Sequence, residues 1–186
     1  MRIVAGRFRG KTLASPRSHG TRPTSDRLRE TIFNVLAHGI GFELEGARVL
    51  DLFAGTGALG FEAISRGARH CTFIEEGAEA RGVIRTNMEN LGLNGVAKIF
   101  RRDATRLGGA GTIDPFNLVF ADPPYGKGLG EMALTSAAKG GWLQPGTLCV
   151  LEESAAATPG FPRGFSELDR RLAGDSQVIL LKHQGD

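Results

Sequence analysis

The sequence predicts an α/β protein with a doubly wound, Rossmann-like sheet of seven mostly parallel strands and helices on both faces. Apolar runs typical of buried strands alternate with segments of helical periodicity along most of the chain. A glycine-rich stretch, RVLDLFAGTGALG at residues 48–60, joins the first strand to a helix. A second distinctive stretch, NLVFADPPYG at residues 117–126, places polar residues after the fourth strand. Both stretches therefore meet at the carboxyl edge of the sheet.

Composition fits one globular unit. The chain has 186 residues, of which 41% are hydrophobic and 23% charged. Cys71 and Cys149 each lie in an apolar, strand-like run without C-x-x-C spacing, which predicts buried reduced thiols and a cytoplasmic protein. No apolar run is long enough to span a membrane. The four histidines are scattered without ligand spacing, so no metal site is predicted.

Positive charge is concentrated at the start of the chain. Residues 1–38 contain eight basic side chains and two acidic ones, whereas the whole chain has a net charge of +3. A basic segment on a mildly acidic body favours a polyanionic partner such as nucleic acid, and a solvated surface is the alternative. The candidate nucleic-acid-binding side chains are Arg7, Arg9, Lys11, Arg22 and Arg27.

The same segment is predicted to form an extension of the domain. Residues 1–13 alternate apolar and basic positions around two glycines, which indicates a short β-hairpin. Thr24 or Ser25 can cap a following helix whose apolar stripe begins at Leu28. The opposite face would carry Arg27, Arg29, Glu30 and Asn34, either as a solvated surface or as a substrate wall. The predicted division is an extension at residues 1–38 and a catalytic domain at residues 39–186, forming one compact unit.

The remaining elements follow in alternation. Periodicity predicts helices at residues 58–66, 78–91 and 129–139. It predicts strands at residues 49–53, 71–74, 97–101, 118–121, 147–151, 165–172 and 177–182. The closing strands are expected to be antiparallel, with the final strand at the edge of the sheet.

The glycine turn is typical of a nucleotide-binding site. Gly55, Gly57 and Gly60 permit positive φ, close approach of a ligand to the backbone, and tight packing of helix on strand. The spacing G-T-G-A-L-G also satisfies the dinucleotide fingerprint, so the turn alone leaves open a dehydrogenase and a methyltransferase that binds S-adenosylmethionine.

Two acidic positions extend this site. Glu75 ends the second strand 20 residues beyond Gly55, where a carboxylate can accept hydrogen bonds from ribose hydroxyls, and Glu76 is the competing candidate. Asp103 follows the third strand and can accept from an adenine amino group or cap a helix.

The residues Asp122, Pro123, Pro124 and Tyr125 form the second half of the predicted site. Two prolines remove amide donors, so a carboxylate and a carbonyl acceptor lie beside an aromatic ring. Such a site suits an amino group on a planar base, with its hydrogens on Asp122 and the Pro123 carbonyl and its ring stacked on Tyr125. A rigid turn with a core tyrosine is the structural alternative.

With these residues identified, the chain resembles the RsmD family of bacterial methyltransferases. The resemblance rests on MRIVAGRFRGKTL at residues 1–13, RPTSDRLRETIFNVL at residues 22–36, LDLFAGTGALGFEAISRGA at residues 50–68, and DPPY. It implies a class I S-adenosylmethionine-dependent fold and methylation of the 2-amino group of a guanine in 16S ribosomal RNA of the small subunit.

The resemblance also implies site roles. Asp51, Phe53, Gly55 and Gly57 would surround the methionine part of the cofactor, with Glu75 at its ribose and Asp103 at its adenine. Residues 122–125 would surround the target base, and Asp122 would also border the cofactor.

Three rival functions stay open. A DNA adenine-N6 or cytosine-N4 methyltransferase shares the glycine turn and DPPY. A dehydrogenase would leave DPPY without a role, and a noncatalytic ribosome-assembly factor would need only the basic segment.

Overall fold

The computed structural model describes residues 1–17 and 24–185, and a seven-stranded sheet forms its centre. The strands are β1 (Arg48–Leu52), β2 (His70–Ile74), β3 (Ala97–Phe100), β4 (Phe116–Ala121), β5 (Leu143–Ser154), β6 (Phe165–Ala173) and β7 (Ser176–His183). Their order is β3-β2-β1-β4-β5-β7-β6. Strands β1 to β5 run parallel, and β7 pairs antiparallel with both β5 and β6. The predicted mostly parallel sheet with an antiparallel edge is confirmed.

The edge strand differs from the prediction. Strand β7 lies between β5 and β6, so β6 forms the edge and the expectation for residues 177–182 is wrong. Strand β7, SQVILLKH, has an apolar centre and is buried at nearly every position, whereas the sequence of β6, FSELDRRLA, is charged and mostly exposed. Charged side chains on an edge strand hinder pairing with other chains, which explains why β6 occupies that place.

In the described part of the chain, four α-helices cover the two faces of the sheet. They are α1 (Asp26–Asn34), α2 (Ala58–Ser65), α3 (Ala78–Leu91) and α4 (Leu129–Lys139). The first three pack in one apolar cluster and α4 in a second, on opposite sides of the strands. Ser25 caps α1 by accepting a hydrogen bond from the Leu28 amide at 3.1 Å. A π-helical turn, Val35–Ile40, continues α1 and ends at Gly41 in the left-handed region.

One charged residue of α1 points inward, against expectation. Arg29 is completely buried, because it lies on the same inward face of α1 as Ile32 and Phe33. Its guanidinium donates to the carbonyl oxygens of Thr24 at 2.9 Å and Arg2 at 2.5 Å, and to Asp26 at 2.7 Å. These bonds offset the cost of burying the charge, so Arg29 is a structural cation and does not belong to the exposed face predicted for it.

The first 13 residues fold back on themselves. A single antiparallel bridge joins Arg2 and Thr12, with the Ile3 amide donating to the Lys11 carbonyl at 3.0 Å. The segment therefore has the reversal of the predicted hairpin but only this bridge in place of a strand ladder. Ile3 and Leu13 are buried in the apolar cluster that also contains α1 and α2.

A buried carboxylate fastens this segment to the sheet domain. Glu62 of α2 accepts from the amides of Val4 at 2.9 Å and Ala5 at 3.0 Å, and from Arg66 at 3.0 Å. The predicted boundary at residue 38 falls inside the π-helical turn, and the division into 1–38 and 39–186 stays a prediction.

Other features bear on the compositional expectations. Cys71 and Cys149 are free and buried, as predicted. Within residues 1–17 and 24–185, no helix is both long and apolar enough to cross a membrane. Across the same residues, no cluster of three or more His, Cys, Asp or Glu side chains could hold a metal ion.

Candidate active site

A cleft of about 1040 Å³ opens at the carboxyl edge of the parallel strands. Its walls come from the ends of β1, β2, β3, β4 and β5, from the start of α1, and from the turn between β6 and β7. The wall residues include Thr24, Arg27, Phe53, Gly55, Glu75, Glu76, Arg102, Asp103, Asp122, Pro123, Pro124, Tyr125, Glu152 and Leu172. The two stretches singled out in the sequence thus face one cavity, whose size suits a cofactor and a nucleobase together.

The glycine turn begins with an unusual backbone conformation. Phe53 follows β1 with a φ of 56°, the left-handed region that non-glycine residues rarely adopt, and its side chain lines the cleft. Gly55 also has a positive φ, 57°, and the nearest atom to a Cβ built on it is 4.0 Å away. Open space at Gly55 therefore allows a ligand to approach the backbone there.

Gly57 has a different reason to be glycine. A Cβ at this position would lie 2.6 Å from the ring of Phe61 and 3.1 Å from that of Phe73. Gly57 is buried and is not part of the cleft wall. The space predicted to be kept for a ligand at Gly57 is filled by the protein's own aromatic core.

Asp51 ties the turn to the sheet. Its Oδ2 accepts a hydrogen bond from the Gly60 amide at 3.1 Å, at the start of α2. Burial raises the pKa of Asp51 well above its usual range, and the charges of Asp122 and Glu75 act in the same direction against the opposing Gly60 bond. Asp51 lies beneath the cleft wall, so its contact with a cofactor stays a prediction.

Of the two acidic candidates after β2, Glu75 is the one joined to the glycine turn. Its Oε2 accepts from the Gly55 amide at 2.8 Å, and its Oε1 accepts from the Gly77 amide at 2.7 Å. Glu76 also lines the cleft but is exposed. The geometry favours Glu75 as the residue that would meet a ribose beside the turn.

Asp103 caps a helical turn and also lines the cleft. It caps the 3₁₀ turn Ala104–Arg106 by accepting from the Thr105 amide at 2.8 Å and from the Thr105 hydroxyl at 2.7 Å. Both hydrogen bonds lower the pKa of Asp103, and the bond from the hydroxyl has the larger effect. Asp103 also lines the cleft, so capping and ligand contact are compatible there.

The DPPY residues form the opposite wall. Asp122, at the end of β4, accepts at Oδ2 from the hydroxyl of Thr24 at 2.9 Å. Pro123 is buried and Pro124 exposed, and the Tyr125 hydroxyl donates to the carboxylate of Glu152. All four motif residues line the cleft. The four residues therefore lie together on one wall of the cleft, and their contact with a target base stays a prediction.

Sequence reasoning missed the residues that support this wall. Glu152 and Glu153 end β5 and are both buried, and Glu153 accepts from the Gly126 amide at 2.9 Å. Two consecutive acids after an apolar strand, at the edge where β1 and β4 end, were the available signal. Thr24 was considered only as a helix cap, and that role belongs to Ser25.

The predicted basic residues fall into two groups. Arg27 lines the cleft, while Arg7, Arg9 and Lys11 are exposed on the N-terminal segment and are not part of its wall. Arg22 lies outside the described residues. Arg102 also lines the cleft, next to the end of β3, and adds a cation that the sequence analysis did not single out.

Comparison with known proteins agrees with this architecture. The family model described as Conserved hypothetical protein 95 matches residues 1–182. Ribosomal RNA small subunit methyltransferase D of Escherichia coli is 38% identical over 185 residues, covering 99% of this chain and 90% of the relative. The protein of the same name from Haemophilus influenzae is 33% identical over 176 residues, covering 94% of this chain and 89% of the relative.

Solved structures show the same fold. The Escherichia coli protein yhhF superposes with a TM-score of 0.84 and 34% identity, covering 100% of this chain and 99% of that one. The Thermus thermophilus 16S rRNA N2 G1207 methyltransferase, solved with AdoMet and guanosine, has a TM-score of 0.60. That likeness, at 20% identity over 91% of this chain and 45% of that one, concerns the fold alone.

The sheet order, the glycine turn and the shared cleft define a methyltransferase fold of class I. Within that class, the chain belongs to the RsmD family, over nearly its whole length.

Proposed function

We propose that this protein transfers a methyl group from S-adenosylmethionine to the exocyclic 2-amino group of a guanine in 16S ribosomal RNA of the small subunit. The observation that carries the proposal is the pairing of the glycine turn and the acceptor-rich DPPY wall in one cleft. Relatives named as small-subunit ribosomal RNA methyltransferases, which match almost the entire chain, support the choice of RNA.

The glycine-turn side of the cleft fits the cofactor. Gly55 leaves open space at the backbone, Glu75 offers a carboxylate beside it, and Asp103 lies farther along the same edge. Glu75 would accept from ribose hydroxyls and Asp103 from the adenine amino group, while Phe53 and Asp51 lie near the methionine part. When bound, S-adenosylmethionine supplies an electrophilic methyl group on a positively charged sulfur.

The DPPY side fits the target amine. Asp122 and the Pro123 carbonyl would accept its two hydrogens, which turns the nitrogen lone pair toward the methyl carbon. Asp122 or water would then take the proton that the amine nitrogen releases after methylation. Tyr125 would stack on the guanine ring. The hydrogen bond from the Tyr125 hydroxyl to the Glu152 carboxylate holds the tyrosine ring in place.

The guanine has to leave its stack before it can enter the cleft. Unstacking costs a few kcal/mol, least where the base is already in a loop. Exposed Arg7, Arg9 and Lys11 and the cleft residue Arg27 would hold the surrounding RNA through its phosphates. The predicted Arg22 contact belongs to the same proposal, and ribosomal RNA as substrate places the reaction in the cytoplasm.

The decisive experiment is methyl transfer from labelled cofactor to small-subunit RNA, both naked and protein-bound, followed by nucleoside analysis. We expect label on N2-methylguanosine. Label on DNA as N6-methyladenine or N4-methylcytosine would instead support the DNA alternative. Absence of transfer to any nucleic acid would refute the proposal.

A further inference from the structure

Thr24 connects the N-terminal extension directly to the DPPY wall. It precedes the cap of α1, and its hydroxyl donates to Asp122 Oδ2 at 2.9 Å, across 98 positions of the sequence. Both residues line the cleft. A hydroxyl bonded to an ionised carboxylate is among the stronger hydrogen bonds in proteins.

The position of Thr24 is itself fixed. The buried guanidinium of Arg29 holds the Thr24 carbonyl at 2.9 Å and the Arg2 carbonyl at 2.5 Å. The Nε of Arg29 lies 3.9 Å from Glu62, whose carboxylate binds the Val4 and Ala5 amides. A chain of polar contacts therefore runs from α2 through Arg29 to Thr24 and ends on Asp122.

We propose that Thr24 is a positioning residue that fixes the rotation of the Asp122 carboxylate for methyl transfer. The inference rests on the proposed function, because it assigns Asp122 to the target amine. A carboxylate turns freely about its Cβ–Cγ bond unless a donor holds it, and a misdirected acceptor loses much of its effect on a reacting group. An ionised carboxylate offers about four acceptor sites, so Asp122 can hold the Thr24 hydroxyl and an amine hydrogen together.

The contact also explains how the extension contributes to the reaction. The basic side chains expected to hold RNA lie on the N-terminal segment, whose backbone is hydrogen-bonded to Arg29 and Glu62. Arg29 also binds the Thr24 carbonyl. RNA held by the extension would thus meet a carboxylate whose orientation the extension sets.

The test replaces the Thr24 hydroxyl without changing the shape of the side chain. Thr24→Val should lower the single-turnover rate about ten- to hundredfold at saturating cofactor and RNA, as expected for a lost hydrogen bond to a charged group. Thr24→Ser, which keeps the hydroxyl, should recover most of that rate. Cofactor affinity and the RNA concentration at half-saturation should stay within about twofold of the wild type.

A matched control is available on α3. Thr86 is exposed there, and its hydroxyl donates to the carbonyl of Gly82 in its own helix, so Thr86→Val makes the same chemical change away from the cleft. It should transfer methyl at the wild-type rate. Thr24→Ala provides the same comparison as Thr24→Val if valine is not accommodated.

A double-mutant cycle separates positioning from a general structural effect. In an Asp122→Ala background, Thr24→Val should have no further effect on the rate, because the carboxylate that it orients is gone. An equal loss in both backgrounds, or a wild-type rate for Thr24→Val, would overturn the inference while the proposed function stood.

The same cycle measured by urea unfolding does not depend on methyl transfer. Coupling between positions 24 and 122 in the free energy of unfolding is expected from the hydrogen bond, and its absence would overturn the inference. Wild-type protein that shows this coupling but methylates no RNA would refute the proposed function, and the Thr24–Asp122 hydrogen bond would then be a structural contact without the assigned role in methyl transfer.

Discussion

The two sides of the cleft are held in place by different parts of the chain. On the cofactor side, the Glu75 carboxylate binds the amides of Gly55 and Gly77, and all three belong to loops that directly follow β1 and β2. On the target side, Asp122 is bound by Thr24 of the extension and Tyr125 by Glu152 of β5. The cofactor side is held by contacts between adjacent strand ends, whereas the target side also depends on a contact with Thr24, 98 positions from Asp122 in the sequence.

This difference separates what the fold supplies from what the further contacts of this chain add. Any class I sheet with a glycine turn can present a carboxylate to a ribose at the end of β2. Orientation of an amine requires a carboxylate and a ring held to within fractions of an ångström, and such precision comes from supporting contacts. We therefore expect substitutions on the target side to change the rate of methyl transfer and those on the cofactor side to change cofactor affinity.

The largest expected effect is at Asp122. Asp122→Ala should lower methyl transfer by on the order of a hundredfold or more, comparable to the loss of one preorganised polar contact in other enzymes. Asp122→Asn keeps an acceptor oxygen and should retain more activity, unless the carboxylate must take the proton, in which case both variants should be equally slow. Single-turnover rates at saturating cofactor and RNA distinguish these cases.

The comparison requires that Asp122→Ala leave the cofactor side intact. Cofactor affinity, measured by calorimetry on the same variant, should change much less than the rate. Transfer at the wild-type rate would show that DPPY is only a rigid turn and would contradict the assigned mechanism.

The next effect is at Gly55, on the cofactor side. Gly55→Val would fill the open space at the turn, so the added side chain would crowd a bound cofactor. Crowding that costs about 1–3 kcal/mol corresponds to a loss of cofactor affinity of about ten- to a hundredfold. Gly111→Val is the matched control, because Gly111 has a similar φ of 61° with no atom within 4 Å and lies outside the cleft wall. Both variants carry the strain of a positive φ, and only Gly55→Val should weaken binding.

Gly57→Val would be a poor substitute for this test. The side chain would collide with Phe61 and Phe73, so loss of binding could follow from a disturbed core. Equal cofactor affinity for Gly55→Val and Gly111→Val would show that the cofactor does not approach the backbone at Gly55.

A smaller effect is expected from the three exposed basic side chains of the first 13 residues, which lie outside the cleft wall. Reversing Arg7, Arg9 and Lys11 to Glu should weaken RNA binding and flatten its salt dependence, by about 0.7–0.9 in the logarithmic slope for each phosphate that the protein no longer neutralises. Cofactor affinity should be unchanged. Deletion of residues 1–13 is less informative, because Ile3 and Leu13 belong to the core.

A charge-matched control uses basic residues elsewhere on the surface. Arg85 on α3, Lys98 on β3 and Lys139 on α4 are exposed and outside the cleft wall, so their reversal to Glu makes the same change in net charge away from the N-terminal segment. If both sets of substitutions lower the salt slope equally, the segment has no special role in holding RNA.

The sequence predicted the residues that line the cleft better than the contacts that hold them in place, for a physical reason. Strand ends and glycine turns are local patterns, so residues 48–60 and Glu75 could be placed at one edge from spacing alone. The role of Thr24 became visible only in the structure, because Thr24 and Asp122 are far apart in sequence and meet through tertiary packing. Glu152 and Glu153 follow an apolar strand and could have been placed at the same edge. Gly57 shows a related limit, since sequence cannot distinguish space kept for a ligand from space filled by Phe61.

Burial was the other source of error. A charged residue in an amphipathic helix is expected to face solvent, yet Arg29 is buried because three backbone and side-chain acceptors surround it. Strand β7 was expected at the edge because it comes last in the chain, although its apolar sequence on both faces already favoured an interior position.

The smallest expected effect is a pH dependence of stability at Asp51, beneath the cofactor side. Its folded-state pKa is raised above 3.8 mainly by burial, so the folded protein binds this proton more tightly than the unfolded chain does. The resulting stability is fully present below the unfolded pKa and is lost as pH rises through the folded pKa. Asp51→Asn keeps an oxygen for the Gly60 amide and cannot ionise, so its free energy of unfolding relative to wild type should increase with pH from about 4 upward.

The slope of that difference is at most about 1.4 kcal/mol per pH unit for a single proton. Urea unfolding between pH 4 and pH 8 measures it, with Asp175→Asn in the exposed β6–β7 turn as the same chemical change at the surface. A difference that stays constant with pH would show that Asp51 ionises in the folded protein as readily as in the unfolded chain. A rising difference would mean that the Asp51 carboxyl resists ionisation when no ligand is bound. A cationic cofactor would then bind more tightly as pH rises through the raised pKa of Asp51.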